Sequence, residues 1–106
     1  MATVKKISTT AVEEVIANPW TSSYYNVIAL AAPSSGEVTG GTLTVECLSP
    51  KSAYYESPSV NTIDMSAPAR IEIQGKIESY RFTVTGFAGT ATEVSIALDS
   101  YGSGQN

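Results

Sequence analysis

Tyr80-Arg81-Phe82-Thr83-Val84-Thr85-Gly86 and Glu93-Val94-Ser95-Ile96-Ala97-Leu98 each set a large apolar side chain at every second position, with small or polar ones between. The same alternation occurs upstream in Arg70-Ile71-Glu72-Ile73-Gln74-Gly75. Successive side chains of a strand point to opposite sides, so a period of two marks a strand with one face in a core and the other in water. Only Phe87-Ala88-Gly89-Thr90-Ala91-Thr92 separates the two later runs. That spacing predicts a β-hairpin whose Phe82, Val84, Val94, Ile96 and Leu98 share one face. The remainder of the chain must then supply the other half of the core.

Working outward, Thr42-Leu43-Thr44-Val45-Glu46-Cys47-Leu48 reads as an amphipathic strand with Leu43, Val45 and Cys47 facing in. Tyr24-Tyr25-Asn26-Val27-Ile28-Ala29-Leu30-Ala31 is apolar on both parities, which suits a central strand or one whose outer face meets another subunit. Val27 joins Phe82, Val84, Val94, Ile96, Leu98, Ile71, Ile73, Leu43 and Val45 in the expected core. Prolines at 50 and 58 bracket a projecting loop or short outer strand that carries Tyr54 and Tyr55, and residues 60–65 suit a short strand. Residues 11–17 admit two readings. Thr10 and Glu13 fit a helix capping box, but Val12, Val15 and Ile16 are β-branched and favour an extended segment. About seven or eight short strands predict an all-β chain: one antiparallel β-sandwich, jelly-roll-like, over residues 11–99. Residues 1–10 are expected to be an N-terminal arm in which Lys5 and Lys6 guard a strand edge, and the Gly-rich residues 100–106 a flexible tail.

A length of 106 residues fits one domain. No apolar run approaches the roughly 18–20 residues of a spanning helix, and Ile7-Ser8-Thr9-Thr10 interrupts any signal-like segment after Lys5 and Lys6, so neither membrane insertion nor secretion is expected. The net charge of −4 and the scattered positions of the six cations argue against a nucleic-acid partner, which needs a concentrated basic face. Charged residues make up only 15% of the chain while Ser and Thr make up roughly a quarter, a surface suited to packing against other proteins.

Histidine is absent, which removes the commonest general base and the commonest metal ligand. Cys47, the one cysteine, lies on the apolar parity and reads as a buried reduced thiol. The acids are dispersed over strand faces and loops, with no run that resembles a calcium loop. No catalytic residue, cofactor or metal is expected. The aromatics Trp20, Tyr24, Tyr25, Tyr54, Tyr55 and Phe87 fall in or beside loops, where rings either cover the ends of a core or anchor an interface. Trp20, Tyr24, Tyr54, Tyr55 and Phe87 are the candidate interface residues.

Gly41-Thr42-Leu43-Thr44-Val45-Glu46, a Pro-bracketed loop, and Ser79-Tyr80-Arg81-Phe82-Thr83-Val84-Thr85-Gly86-Phe87-Ala88-Gly89 ahead of a last alternating strand together resemble small β-sandwich virion accessory proteins of tailed bacteriophages. Capsid decoration (cement) proteins and fibre domains belong to that group. Where the group usually carries a Gly and a Trp after the first of these strands, this chain has Tyr54-Tyr55. The resemblance implies a non-enzymatic protein made in the host cytoplasm and located on the virion. It would be a homo-oligomer bound to the major capsid or another virion protein. The alternative it leaves open is a glycan- or receptor-binding module of a fibre.

Overall fold

The structure is a computed structural model and describes residues 3–101. It is all-β, with strands β1 (Thr3–Ser8), β2 (Glu14–Ala17), β3 (Tyr25–Ala31), β4 (Val38–Leu48), β5 (Thr62–Asp64), β6 (Ala69–Gln74), β7 (Ser79–Gly89) and β8 (Glu93–Tyr101). Two antiparallel four-stranded sheets, β1-β8-β3-β6 and β2-β7-β4-β5, pack face to face as a sandwich. The alternating positions supply its core. Ile71, Ile73, Val94, Ile96 and Leu98 come from one sheet and Leu43, Val45, Phe82 and Val84 from the other, all buried in a single cluster with Tyr80 and Ile28.

Three expectations are corrected. First, β7 and β8 do not form a hairpin. β7 pairs with β2 and β4, and β8 pairs with β1 and β3 in the opposite sheet. Phe82 and Ile96 therefore enter one core from opposite sheets instead of lying side by side. Alternation reports which side chains face inward, and two strands in opposite sheets facing one core produce the same pattern as two neighbours. The crossover is built by close approach. The amides of Thr90 and Ala91 both donate to the Glu37 carbonyl (2.9 and 3.0 Å), and a Cβ on Gly89, at φ +139, would sit 2.2 Å from that oxygen. Only glycine fits there.

Second, residues 3–8 supply the strand edge expected of the N-terminal arm, but as part of the sandwich itself. They form β1, an edge strand in register with β8 from Thr3↔Leu98 to Ser8↔Glu93, and Ile7 is buried in the core. The expected tail likewise starts too early, because β8 continues through Ser100 to Tyr101; the remainder of that tail lies outside the described residues. Third, Val27 is buried but stands apart from the core cluster, on the outer parity of β3 opposite Asn26, Ile28 and Leu30. Of the two readings of residues 11–17, the extended one matches β2.

At the start of β3 the chain crosses between sheets over a buried amide pair. Asn18 Nδ2 donates to Asn26 Oδ1 (3.2 Å) and to the Ile77 carbonyl (2.8 Å), and Asn26 Nδ2 donates to the Gly75 carbonyl (2.8 Å). Both amides are sequestered from water, so each bond replaces one lost on burial. This network fixes where β3 begins, and with it Tyr24 and Tyr25.

Candidate interaction surface

The registers decide where the aromatic candidates lie. Tyr25 opens β3 opposite Gln74 and Tyr101, the Gly75 amide donates to the Tyr24 carbonyl, and the Glu78 amide donates to the carbonyl of Leu48, which ends β4. The 18–24 crossover and the start of the 49–61 loop therefore share one end of the sandwich, which gathers Trp20, Tyr24, Tyr54 and Tyr55. Phe87 sits at the other end, near the close of β7, half-buried against the core.

The four do not offer themselves equally. Trp20 is half-buried and its Nε1 donates to the Leu98 carbonyl (3.0 Å), so the indole is held against β8 just beyond the start of β1. Tyr55 is held twice: its hydroxyl bonds Ser79 Oγ (2.8 Å) and the Arg81 guanidinium lies 4.4 Å from its ring centre. Arg81 also donates to Glu46 Oε1 (2.9 Å), an interaction that raises the guanidinium pKa. These two rings close their own domain. Tyr24 and Tyr54 project, at 44% and 77% exposure.

Tyr101 is the residue that sequence reasoning missed. It falls within the Gly-rich residues expected as a tail, yet its parity continues Ala97 and Asp99 on the outer side of β8. Its ring stacks on Tyr25 (5.2 Å between centres, 10° between planes), and Tyr24 meets Tyr25 edge-on at 5.1 Å. The Tyr101 hydroxyl donates to Glu72 Oε1, which raises the phenol pKa. Glu72 is on β6, two strands from β8, so a gap of about 10 Å is bridged by a ring lying across β3. Val27 lies in the row beside it, between Asp99 and Glu72, and this cover explains why an outward valine is only 8% exposed. The next row, Val4-Ala97-Ala29-Arg70, extends the face with small apolar groups to the edge, where Val4 is exposed. Arg70 closes the rim with an ion pair to Glu72 at 3.0 Å.

The outer side of the other sheet is chemically different. Thr62, Thr44 and Thr83 form one row and Asp64, Thr42 and Thr85 the next, followed by Arg81 paired with Glu46. The Asp64 carboxyl is held below its ordinary pKa by the amide and hydroxyl of Ser66. Between the sheets at the Phe87 end is a cleft of about 320 Å³ whose lining includes Leu30, Val38, Met65, Pro68, Val94 and Glu37.

Burial, reinforced by the charge of Glu46, pushes the Cys47 thiol up to about 12, so it stays protonated and non-nucleophilic at neutral pH. Among the described residues no three His, Cys, Asp or Glu side chains converge as a metal site. What the geometry offers is contact: an aromatic and small-apolar sheet face with a charged rim. Comparison of the chain with protein-family models, with curated proteins and with solved structures returned no match.

Proposed function

We propose that this chain is a non-enzymatic structural protein of a tailed-bacteriophage particle, a capsid decoration protein that binds the assembled shell and stabilises it. The observation that carries the reading is the outer face of the β1-β8-β3-β6 sheet. There Tyr24, Tyr25 and Tyr101 cluster beside Val27, Ala29, Ala97 and Val4, with Val4, Tyr24 and Tyr101 exposed. Interface energy concentrates in a few aromatic anchors that lose water on binding, surrounded by contacts that exclude it. The exposed Tyr24 and Tyr101, with Tyr54 on the neighbouring loop, are such anchors, and the Arg70–Glu72 pair is a polar rim. The partner is the major capsid or another virion protein. A ligand that binds only the assembled shell stabilises it by mass action.

A second reading, a glycan-binding module of a fibre, is favoured by one detail. The Tyr101 ring is flanked by Glu72 and Arg70, so a flat apolar surface lies beside hydrogen-bonding groups, as a sugar ring requires. The test compares the heat resistance of particles with and without this protein, alongside a glycan screen of the isolated chain. The decoration reading expects less resistant particles when the protein is missing and no saturable sugar signal. Unchanged particles with saturable sugar binding would give the face to a glycan.

A further inference from the structure

The segment 3–11 is attached to the rest of the fold in an unusual way. β1 lies in one sheet and β2 in the other, and the connection between them, residues 9–13, ends in Val12 and Glu13, both exposed. Glu13 has φ +51, the one non-glycine among the described residues with a positive φ. That region disfavours L-residues with a long side chain, and such outliers persist only where surrounding contacts enforce them. Here the Glu13 amide donates to Thr83 Oγ1 (3.0 Å), its carboxylate is 3.9 Å from Arg81, which is better engaged by Glu46, and the residues on either side, Ala11 and Glu14, both pair with β7, so the outlier sits in a bulge of two residues between them.

The segment itself is firmly held. It makes the six-residue ladder with β8, Thr9 bonds through its amide to the Thr92 carbonyl and through Oγ1 to the Ala91 carbonyl, and the Val84 amide donates to the Ala11 carbonyl. Ile7 and Ala11 fill the core. Its internal turn, with the Ala11 amide on the Ser8 carbonyl, would travel with it. All of its bonds to the remainder of the chain would be reproduced if the same segment came from a second copy, while in the closed form the left-handed turn at Glu13 brings Ala11 and Glu14 of one chain onto the same β7 strand. A short strained hinge joined to a self-contained edge strand is the arrangement that favours exchange.

We propose that copies of this chain associate by exchanging residues 3–11, each β1 completing the β8 edge of its neighbour, with Val12 and Glu13 opened into an extended hinge. The exchange does not depend on what the tyrosine face binds.

Lys6 and Ser95 are register partners across β1 and β8, which gives a direct test. Chains carrying Lys6→Cys alone and Ser95→Cys alone, both with Cys47→Ala, are mixed, refolded together at high concentration and oxidised. The expected product is a disulfide-linked dimer in which peptide mapping finds a 6–95 crosslink between chains. Glu13→Gly, which removes the strain, should lower its yield several-fold. The Lys6→Cys/Ser95→Cys double variant shows independently that the strand is paired. An intrachain bond in that variant, with no 6–95 crosslink in the mixture at any concentration, would overturn the exchange. An unchanged yield with Glu13→Gly would overturn hinge strain as its cause.

Discussion

The two outer faces of this sandwich are made by the same alternation and finished in different ways. On the β2-β7-β4-β5 side, five threonines and the Arg81-Glu46-Tyr55 group present hydroxyls and internally paired charges, with Val15 of β2 the one large apolar side chain exposed in these rows. On the β1-β8-β3-β6 side, tyrosines, valines and alanines share the outward rows with Gln74, Glu72, Arg70, Asp99, Lys6 and Ser95, and the Tyr101 ring lies across β3 beside Val27. The difference teaches that outward parity carries information of its own. A polar outward row needs no explanation, whereas an outward apolar row on a central strand calls for a cover, supplied by the chain or by a partner.

The largest expected effect comes from the core that both faces share. Phe82→Ala should cost about 3–5 kcal/mol, a large part of the roughly 5–15 kcal/mol of an ordinary domain, and thermal melting should show both sheets lost in one transition. Separate transitions would mean that the faces stand on independent cores. Next come the anchors, which sharpen the contrast. Tyr101→Ala should weaken particle binding by roughly 30-fold, measured by co-sedimentation, while Thr44→Ala on the opposite face should leave it unchanged.

A third effect reads the core chemically. The Cys47 thiol is raised from 9.0 to about 12, and the buried Tyr80 hydroxyl is raised as well, by burial first and then by Cys47. Both groups lose a proton more readily when unfolded, so their contribution to stability is fully present below pH 9 and falls as pH rises towards 12. Denaturant titrations across that window should show declining stability, with a shallower decline in Cys47→Ala. The smallest effect belongs to the hydroxyl-rich face. Arg81→Ala should lower Tm by less than Phe82→Ala does, free the Tyr55 ring to move, and leave particle binding intact.

Much of the core was legible in the sequence, and the reasons are particular. Phe82, Val84, Val94, Ile96, Leu98, Ile71, Ile73, Leu43 and Val45 were found because parity is a local property of the chain. The assignment of β7 and β8 to opposite sheets was not, because it depends on pairings such as Val45↔Phe82 and Ile28↔Leu98 that no local pattern encodes. In the sequence β1 resembles an arm because only Ile7 reaches the core; the rest of its attachment is backbone pairing, to which side-chain patterns are blind. Among the aromatic candidates, composition marked the rings but not their engagements. Trp20 and Tyr55 are held by Leu98, Ser79 and Arg81, partners distant in sequence. Tyr101 could have been found by extending the outward parity of Ala97 and Asp99 by one more step.

The central claim is that the tyrosine face of the β1-β8-β3-β6 sheet, and not the threonine face, engages the assembly. Hydroxyl-radical footprinting of the protein free and bound to its particle tests it most directly. The account predicts strong protection of Tyr24, Tyr25 and Tyr101 on binding, with the β4 and β7 threonine rows as reactive as in the free protein. Protection confined to the threonine rows, with the tyrosines unchanged, would contradict it.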